Sequence, residues 1–87
     1  MSLEFPNSSR SYDATRHAVR FWGYDTAMEW SFFVTAEALK HLNPAMSEDE
    51  TSMLAAFDSS RDRICVAAAR LYARGRKGSY ELGAVDV

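Results

Sequence analysis

The chain has few of the residues that build disulfide-bonded, disordered or membrane-spanning proteins. Cys65 is its one cysteine in 87 residues, which excludes an intrachain disulfide and a metal site of several thiolates. Two prolines and four glycines accompany 47% hydrophobic residues, a composition that argues against disorder. There is no apolar run of about eighteen residues and no N-terminal targeting pattern. We therefore expect one domain over residues 1–87, in the cytoplasm and without a membrane partner.

Charge is divided unevenly along the chain. The formal net charge is −2, which argues against a protein built to coat nucleic acid. Residues 1–60 have a balance of −5, whereas residues 61–87 have a balance of +3. In the basic part, Arg70, Arg74, Arg76 and Lys77 form the candidate contact for nucleic acid or another polyanion. The simpler interpretation is a solvated helix end whose cations match the helix dipole.

Aromatic residues concentrate in residues 17–34, which hold six of the eleven in the chain. Their period-2 alternation predicts a β-hairpin with its turn centred on Asp25 and Thr26. In that pairing one face is almost wholly apolar, and we assign Phe21, Trp30 and Phe32 to packing beneath helices. The second face presents Arg20, Trp22, Tyr24 and Phe33.

The segments around the hairpin are more polar. Residues 3–5 precede a proline and predict a short edge strand. Residues 6–16 are rich in side chains that bond to nearby backbone, which indicates a turn-rich connection. After the hairpin, Thr35 can cap a helix of about two turns that Asn43 and the following proline end.

A second helical pattern begins at Ser47, which with Glu50 forms a predicted capping box. Its apolar spacing continues to about residue 74, a length of about 40 Å at 1.5 Å per residue. A domain of this size is only about 30 Å across. We therefore expect a break near residues 58–60, where three cap-forming residues interrupt the apolar stripe.

The last pattern is a strand over residues 79–82, with Val85 and Val87 as a possible extension beyond Gly83. The predicted order is therefore β-β-β-α-α-β. An α+β fold follows, a two-layer sandwich in which a mainly antiparallel sheet carries helices on one face.

Recognisable catalytic chemistry is absent from the sequence. It has no glycine-rich phosphate loop, serine elbow or zinc-protease motif, and we predict no catalytic, cofactor-binding or metal-binding residue. His17 and His41 are far apart, and each has a simpler structural interpretation. Cys65 is expected to be a small buried hydrophobe, the alternative being a thiol made reactive by Arg61 and Arg63. An enzyme without a recognisable motif remains the third functional alternative.

The second hairpin face carries the leading functional hypothesis. Exposed aromatic residues of this size normally mark a partner site. We therefore expect a non-catalytic interaction or accessory module that binds an unknown protein partner or a second copy of itself. Arginine beside strand-face aromatics also resembles a base-stacking platform, which is the nucleic-acid alternative. Packing beneath the N-terminal loop is the structural alternative.

A set of mostly apolar positions, spread over nearly the whole chain, has the spacing of a known protein family. They are Phe5 and Tyr12, Val19-x-Phe21, Val34-x-x-Glu37-x-Leu39, Phe57-x-x-x-Arg61-x-x-Ile64, and Tyr80-x-Leu82. In these positions the chain resembles a family of small bacterial proteins, domain-of-unknown-function family 1488. The resemblance implies a small α+β domain with no assigned activity, cofactor or catalytic residue. Glu37 and Arg61 are polar members of the set, and we expect them to form an ion pair between helices.

Overall fold

The computed structural model describes residues 3–6, 9–74 and 80–87. Its elements follow the order strand, strand, strand, helix, helix, helix, strand and 3-10 turn. They are β1 (Arg10–Asp13), β2 (Ala18–Asp25), β3 (Met28–Thr35), α1 (Ala36–Leu42), α2 (Glu50–Ser59), α3 (Arg61–Ala73), β4 (Tyr80–Leu82) and the turn Ala84–Asp86. The α+β class is confirmed, although the order contains one more helix than predicted.

The four strands form one sheet in the order β1-β2-β3-β4. The first two pairs are antiparallel, as predicted, but β4 runs parallel to β3. The sheet is therefore mixed. The physical reason lies in the connection, because the three helices between β3 and β4 form a crossover that can return the chain in the same direction.

The hairpin of β2 and β3 divides its side chains as predicted, but the predicted pairing is wrong. Asp25 lies opposite Met28, and Phe21 lies opposite Phe32. The turn is therefore centred on Thr26 and Ala27, one residue later than expected, and each partner is displaced by two. Because side chains alternate with period 2, this displacement leaves every residue on its predicted face. Thr26 takes a positive φ of 54°, the left-handed geometry that tight hairpin turns use.

The N-terminal region supplies the other edge of the sheet. Within the predicted connection at residues 6–16 the chain forms strand β1, in which Tyr12 pairs with Val19. The expected strand at residues 3–5 is reduced to one bridge, in which Glu4 and Tyr24 exchange two hydrogen bonds of 2.8 Å. Both segments lie along β2, so the N-terminal region covers that strand over most of its length.

Polar side chains set the helix boundaries. The Ala38 N–H donates to Thr35 Oγ1 at 3.1 Å, which confirms the predicted cap of α1, and Asn43 is its C-cap. The predicted capping box at Ser47 is wrong. Asp49 caps α2 by accepting from the Ser52 N–H at 2.8 Å, since its carboxylate stands one residue before the first helical turn.

The expected break of the long helical pattern is confirmed. Helix α2 ends at Ser59 and α3 begins at Arg61, with Ser60 between them. Asn43 ties this junction to the end of α1, because its Nδ2 donates to Ser60 Oγ at 3.0 Å. The second helical pattern is thus two helices.

The C-terminal residues turn away from the sheet. Val85 and Val87 do not extend β4, because residues 84–86 form the 3-10 turn. The Gly83 N–H donates to Asp86 Oδ2 at 2.8 Å, which fixes this turn. Ser79, which was expected to begin the last strand, lies outside the described residues.

One sheet face and all three helices share a hydrophobic core. Its largest fully buried members include Phe21, Phe32, Phe57 and Tyr80. The rings of Phe21 and Phe32 stack with centroids 5.5 Å apart. Trp30 is partly buried and packs against this core. The predicted packing of these hairpin aromatics is therefore confirmed. Among the described residues no helix has the length and apolar character needed to cross a membrane.

Candidate functional site

The second face of the hairpin is the candidate site. We call six of its residues the open sheet face: Arg20, Trp22, Tyr24, Glu29, Ser31 and Phe33. Strands β2 and β3 position them, because alternate side chains of paired strands point to the same side. None of the six belongs to the core that the helices share with the opposite face. The predicted surface residues are therefore brought together on one side of the sheet.

Phe33 departs from the prediction, because only 5% of its surface is exposed. The guanidinium of Arg16 lies over the ring at 4.1 Å from its centroid, and that of Arg20 lies at 5.7 Å. Arg16 stands in the turn before β2, where its N–H donates to Asp13 Oδ1 at 3.0 Å. Within the chain, arginine side chains thus lie over this phenylalanine.

Arg16 was missed by reasoning from the sequence. It lies outside the alternating segment, and a turn residue folding back over a strand leaves no periodic signal. The geometry that brings it there includes a positive φ of 54° at His17.

The remaining aromatics of the open sheet face also have polar neighbours. Arg20 donates from Nη2 to Ser31 Oγ at 2.9 Å, and its guanidinium lies 5.1 Å from the ring of Trp22. The Tyr24 hydroxyl donates to Glu29 Oε2 at 2.6 Å. Trp22 and Tyr24 remain partly exposed. The face therefore combines apolar rings with fixed charges of both signs.

The predicted basic segment is described only in part. Arg70 and Arg74 are exposed, and because Arg74 is the C-cap residue of α3, the two lie on one side of the helix. Both line a hollow between α3 and the 3-10 turn, together with Val85 and Asp86. Arg76 and Lys77 lie outside the described residues. Arg63, which the sequence reasoning linked only to Cys65, lines an adjoining hollow. In the sequence, the spacing of seven residues between Arg63 and Arg70 could have indicated that the two lie on one side of a helix.

Cys65 is half-buried on α3. Burial raises the pKa of its thiol, and the nearby positive charge of Arg61 offsets this only in part. The effect of burial thus exceeds that of Arg61, although the thiol is half-buried and not fully buried as expected from the sequence.

The two histidines have surface positions. His17 Nε2 lies 3.7 Å from Glu48 Oε1, and His41 occupies the last turn of α1. Across the described ranges no group of three or more potential ligands is placed to hold a metal ion.

The expected ion pair between Glu37 and Arg61 is not among those that the described residues form. Glu37 is exposed on the first turn of α1. The Arg61 guanidinium instead lies 5.2 Å from the ring centroid of Phe57. Helix α2 is connected to β1 by another ion pair, in which Arg10 Nη2 lies 2.9 Å from Asp58 Oδ2.

Comparison with known proteins gives two findings. The model of the family described as "Protein of unknown function (DUF1488)" matches residues 3–82. A crystal structure of a DUF1488-family protein of unknown function from Shewanella loihica PV-4 matches with a TM-score of 0.83 and 19% sequence identity. The match covers 93% of this chain and 91% of that one, and at this identity it shows the fold. No curated protein is similar enough to count as a match.

Proposed function

Because the chain belongs to the DUF1488 family of proteins of unknown function, we propose from its own surfaces that it is a non-catalytic protein-interaction module. Its partner, a different protein or a second copy of this chain, binds the open sheet face. The observation that carries the proposal is that Trp22 and Tyr24 lie two residues apart on β2, on the same face of the sheet, and are both partly exposed. Aromatic residues with a polar end are enriched at protein interfaces.

The polar groups of this face favour a protein partner over nucleic acid. Arg20 already lies against the Trp22 ring, which occupies a surface that a base would need for stacking. Glu29 and the exposed Glu81, opposite Phe33 in the sheet register, add negative charge that repels phosphate. A protein surface can offer both apolar and charged groups to match this mixture.

The test begins with self-association. Sedimentation equilibrium from micromolar to millimolar concentration is expected to show a dimer if the partner is a second copy. The variant Trp22→Ser is then expected to be monomeric. Met28→Ser is the matched control, because Met28 is 57% exposed but has its side chain on the other face of the hairpin.

If the chain is monomeric, affinity capture from its native host is the second arm. A discrete protein is expected to be retained by the wild type and by Met28→Ser, and lost with Trp22→Ser. A monomer whose retained proteins are the same for Trp22→Ser and the wild type contradicts the proposal.

A further inference from the structure

Two arginines of α3 and the C-cap residue of that helix form what we call the basic stripe: Arg63, Arg70 and Arg74. At about 100° per residue they project within about 40° of one another and span about 16 Å along the axis. All three are exposed. Over the described part of the chain, none of their guanidinium groups has a hydrogen bond, ion pair or ring contact.

The other arginines of the described chain behave differently. Arg10 is paired with Asp58, Arg16 lies over Phe33, and Arg20 bonds to Ser31. The basic stripe is therefore a local concentration of unused positive charge on a chain whose formal net charge is −2. Guanidinium groups in this state are well suited to bind carboxylates or phosphates in bidentate geometry.

The basic stripe borders a groove, which we call the α3 groove. Two adjoining hollows of about 290 and 210 Å³ share Ala67, Arg70 and Asp86. The 3-10 turn and the C-terminal Val87 form the opposite wall. The groove also carries two exposed apolar side chains, since Val66 is 53% and Val85 is 96% exposed. Apolar contact area thus lies beside the arginines.

The composition of the α3 groove distinguishes between anionic ligands. Exposed valines gain contact area from apolar side chains, which a sugar-phosphate backbone lacks. No aromatic side chain lines the two hollows within the described chain, so the groove has no ring on which a base could stack. Asp62 and Asp86 also line the groove and oppose a uniformly charged polyanion. An acidic protein segment needs no stacking ring, and when apolar residues separate its carboxylates it is repelled less by the two aspartates than a uniformly charged polyanion is.

We infer that the α3 groove binds an acidic segment of a partner protein, in which Asp or Glu residues alternate with apolar residues. Its carboxylates pair with Arg63, Arg70 and Arg74, and its apolar side chains contact Val66 and Val85. The inference does not rest on the function proposed above, since it concerns α3 and the C-terminal turn, whereas the open sheet face consists of β2 and β3 residues. The two surfaces can therefore be tested with separate variants.

The experiment measures fluorescence anisotropy of a labelled synthetic peptide that alternates glutamate and leucine, titrated with the full chain at low salt. Arg70→Glu is expected to weaken binding by about tenfold or more, and Val66→Ser by severalfold. Lys40→Glu is the matched control. It makes the same change of charge at an exposed position of α1 and is expected to leave binding unchanged. Circular dichroism checks that each variant is folded.

Four results would overturn the inference. Two are the absence of peptide binding at low salt and equal binding by Arg70→Glu and the wild type. Another is labelled single-stranded RNA binding more tightly than the peptide and losing affinity in Arg70→Glu, which would assign the groove to nucleic acid. The last is self-association of the chain that Arg70→Glu abolishes, which would assign the groove to the acidic surface of a second copy.

Discussion

The Tyr72 hydroxyl donates a hydrogen bond of 2.6 Å to Oδ2 of Asp25, which ties α3 to the tip of the hairpin. The Tyr72 ring also lies 5.7 Å from Trp30 and 5.8 Å from Tyr80, measured between centroids. The pKa of Tyr72 is raised above its ordinary value, mainly by the hydrogen bond to the carboxylate and secondly by burial. This contact orders the end of the hairpin that carries Tyr24 and Glu29.

Replacing Tyr72 by phenylalanine is expected to lower the melting temperature by a few degrees near neutral pH, because the Asp25 carboxylate loses its donor. The contribution depends on pH in a defined direction. Below the ordinary tyrosine pKa of 10.0 the phenol is neutral in both states, and the stabilisation is present in full. Above it the unfolded chain loses its proton first, so stability falls as pH rises through the raised folded pKa.

Thermal unfolding of wild type and Tyr72→Phe from neutral to alkaline pH checks this prediction. The difference between them should be constant up to about pH 10 and should then shrink. Tyr12→Phe is the control, because the Tyr12 hydroxyl has no hydrogen-bond partner among the described residues. A difference that is the same at all pH values would contradict the assigned role of the hydroxyl.

The hairpin shows how far the sequence alone could predict this fold. Alternation assigned each strand residue to its face, because a strand buried on one side requires period 2. It could not assign the partners, since the turn contains no glycine and Thr26 takes the left-handed conformation instead. Strand β1 was missed because its sequence, Arg-Ser-Tyr-Asp, lacks β-branched residues, and its pairing with β2 is a tertiary effect.

The residues of the candidate site were predicted from the sequence, but the exposure of their side chains was not. The sequence placed Phe33 with Arg20 and Trp22, and the structure confirms that they share a face. It gave no indication that Arg16 would cover Phe33, because that contact depends on the path of a turn. The α3 groove could not be predicted from the sequence for the same reason. Val85 comes near α3 only through the 3-10 turn, where the sequence indicated an extended strand.

Gly23 is predicted to be required by close packing rather than by backbone conformation. A Cβ at this position would lie 2.8 Å from Phe5 Cε1 and 3.1 Å from both Leu3 Cδ1 and Phe32 Cε1. Gly23→Ala is expected to cost about 1–3 kcal/mol of unfolding free energy, because the Phe5 ring must move. Urea denaturation followed by tryptophan fluorescence measures the change.

Gly83→Ala is the matched control for this prediction. The nearest atom to a Cβ there is Asp86 Oδ2 at 3.8 Å, an ordinary contact. The substitution is expected to be neutral or to stabilise the chain by up to about 1 kcal/mol, by restricting the unfolded state. Equal destabilisation by the two substitutions would show that the packing around Gly23 is not the cause.

The stacking of Arg16 on Phe33 is predicted to contribute a measurable coupling energy. A double-mutant cycle with Arg16→Gln and Phe33→Leu is expected to give about 0.5–1 kcal/mol, the range for an aromatic ring under a cation that remains exposed to solvent, as Arg16 does. The cycle separates this coupling from the 3.9 Å contact between Arg16 and Asp13. The same cycle with Lys40→Gln in place of Arg16→Gln should give no coupling, and equal couplings would contradict the prediction.

Cys65 is predicted to react slowly with thiol reagents at neutral pH. Burial raises the pKa of the thiol above its ordinary value of 9.0, so little thiolate is present in the folded chain. The rate of labelling by a coloured disulfide reagent is expected to be severalfold lower for the folded chain than for the chain in urea. The rate should increase as pH rises toward the raised pKa.

Neighbouring charges provide the variants that test this explanation. The positive charge of Arg61 lowers the pKa of Cys65 and the negative charge of Asp62 raises it. Asp62→Asn should therefore accelerate labelling of the folded chain, and Arg61→Gln should slow it. Glu81→Gln, an exposed change on β4, is the control and should have no effect. Rates that do not differ among these variants would indicate that access to the sulfur, rather than its protonation, limits the reaction.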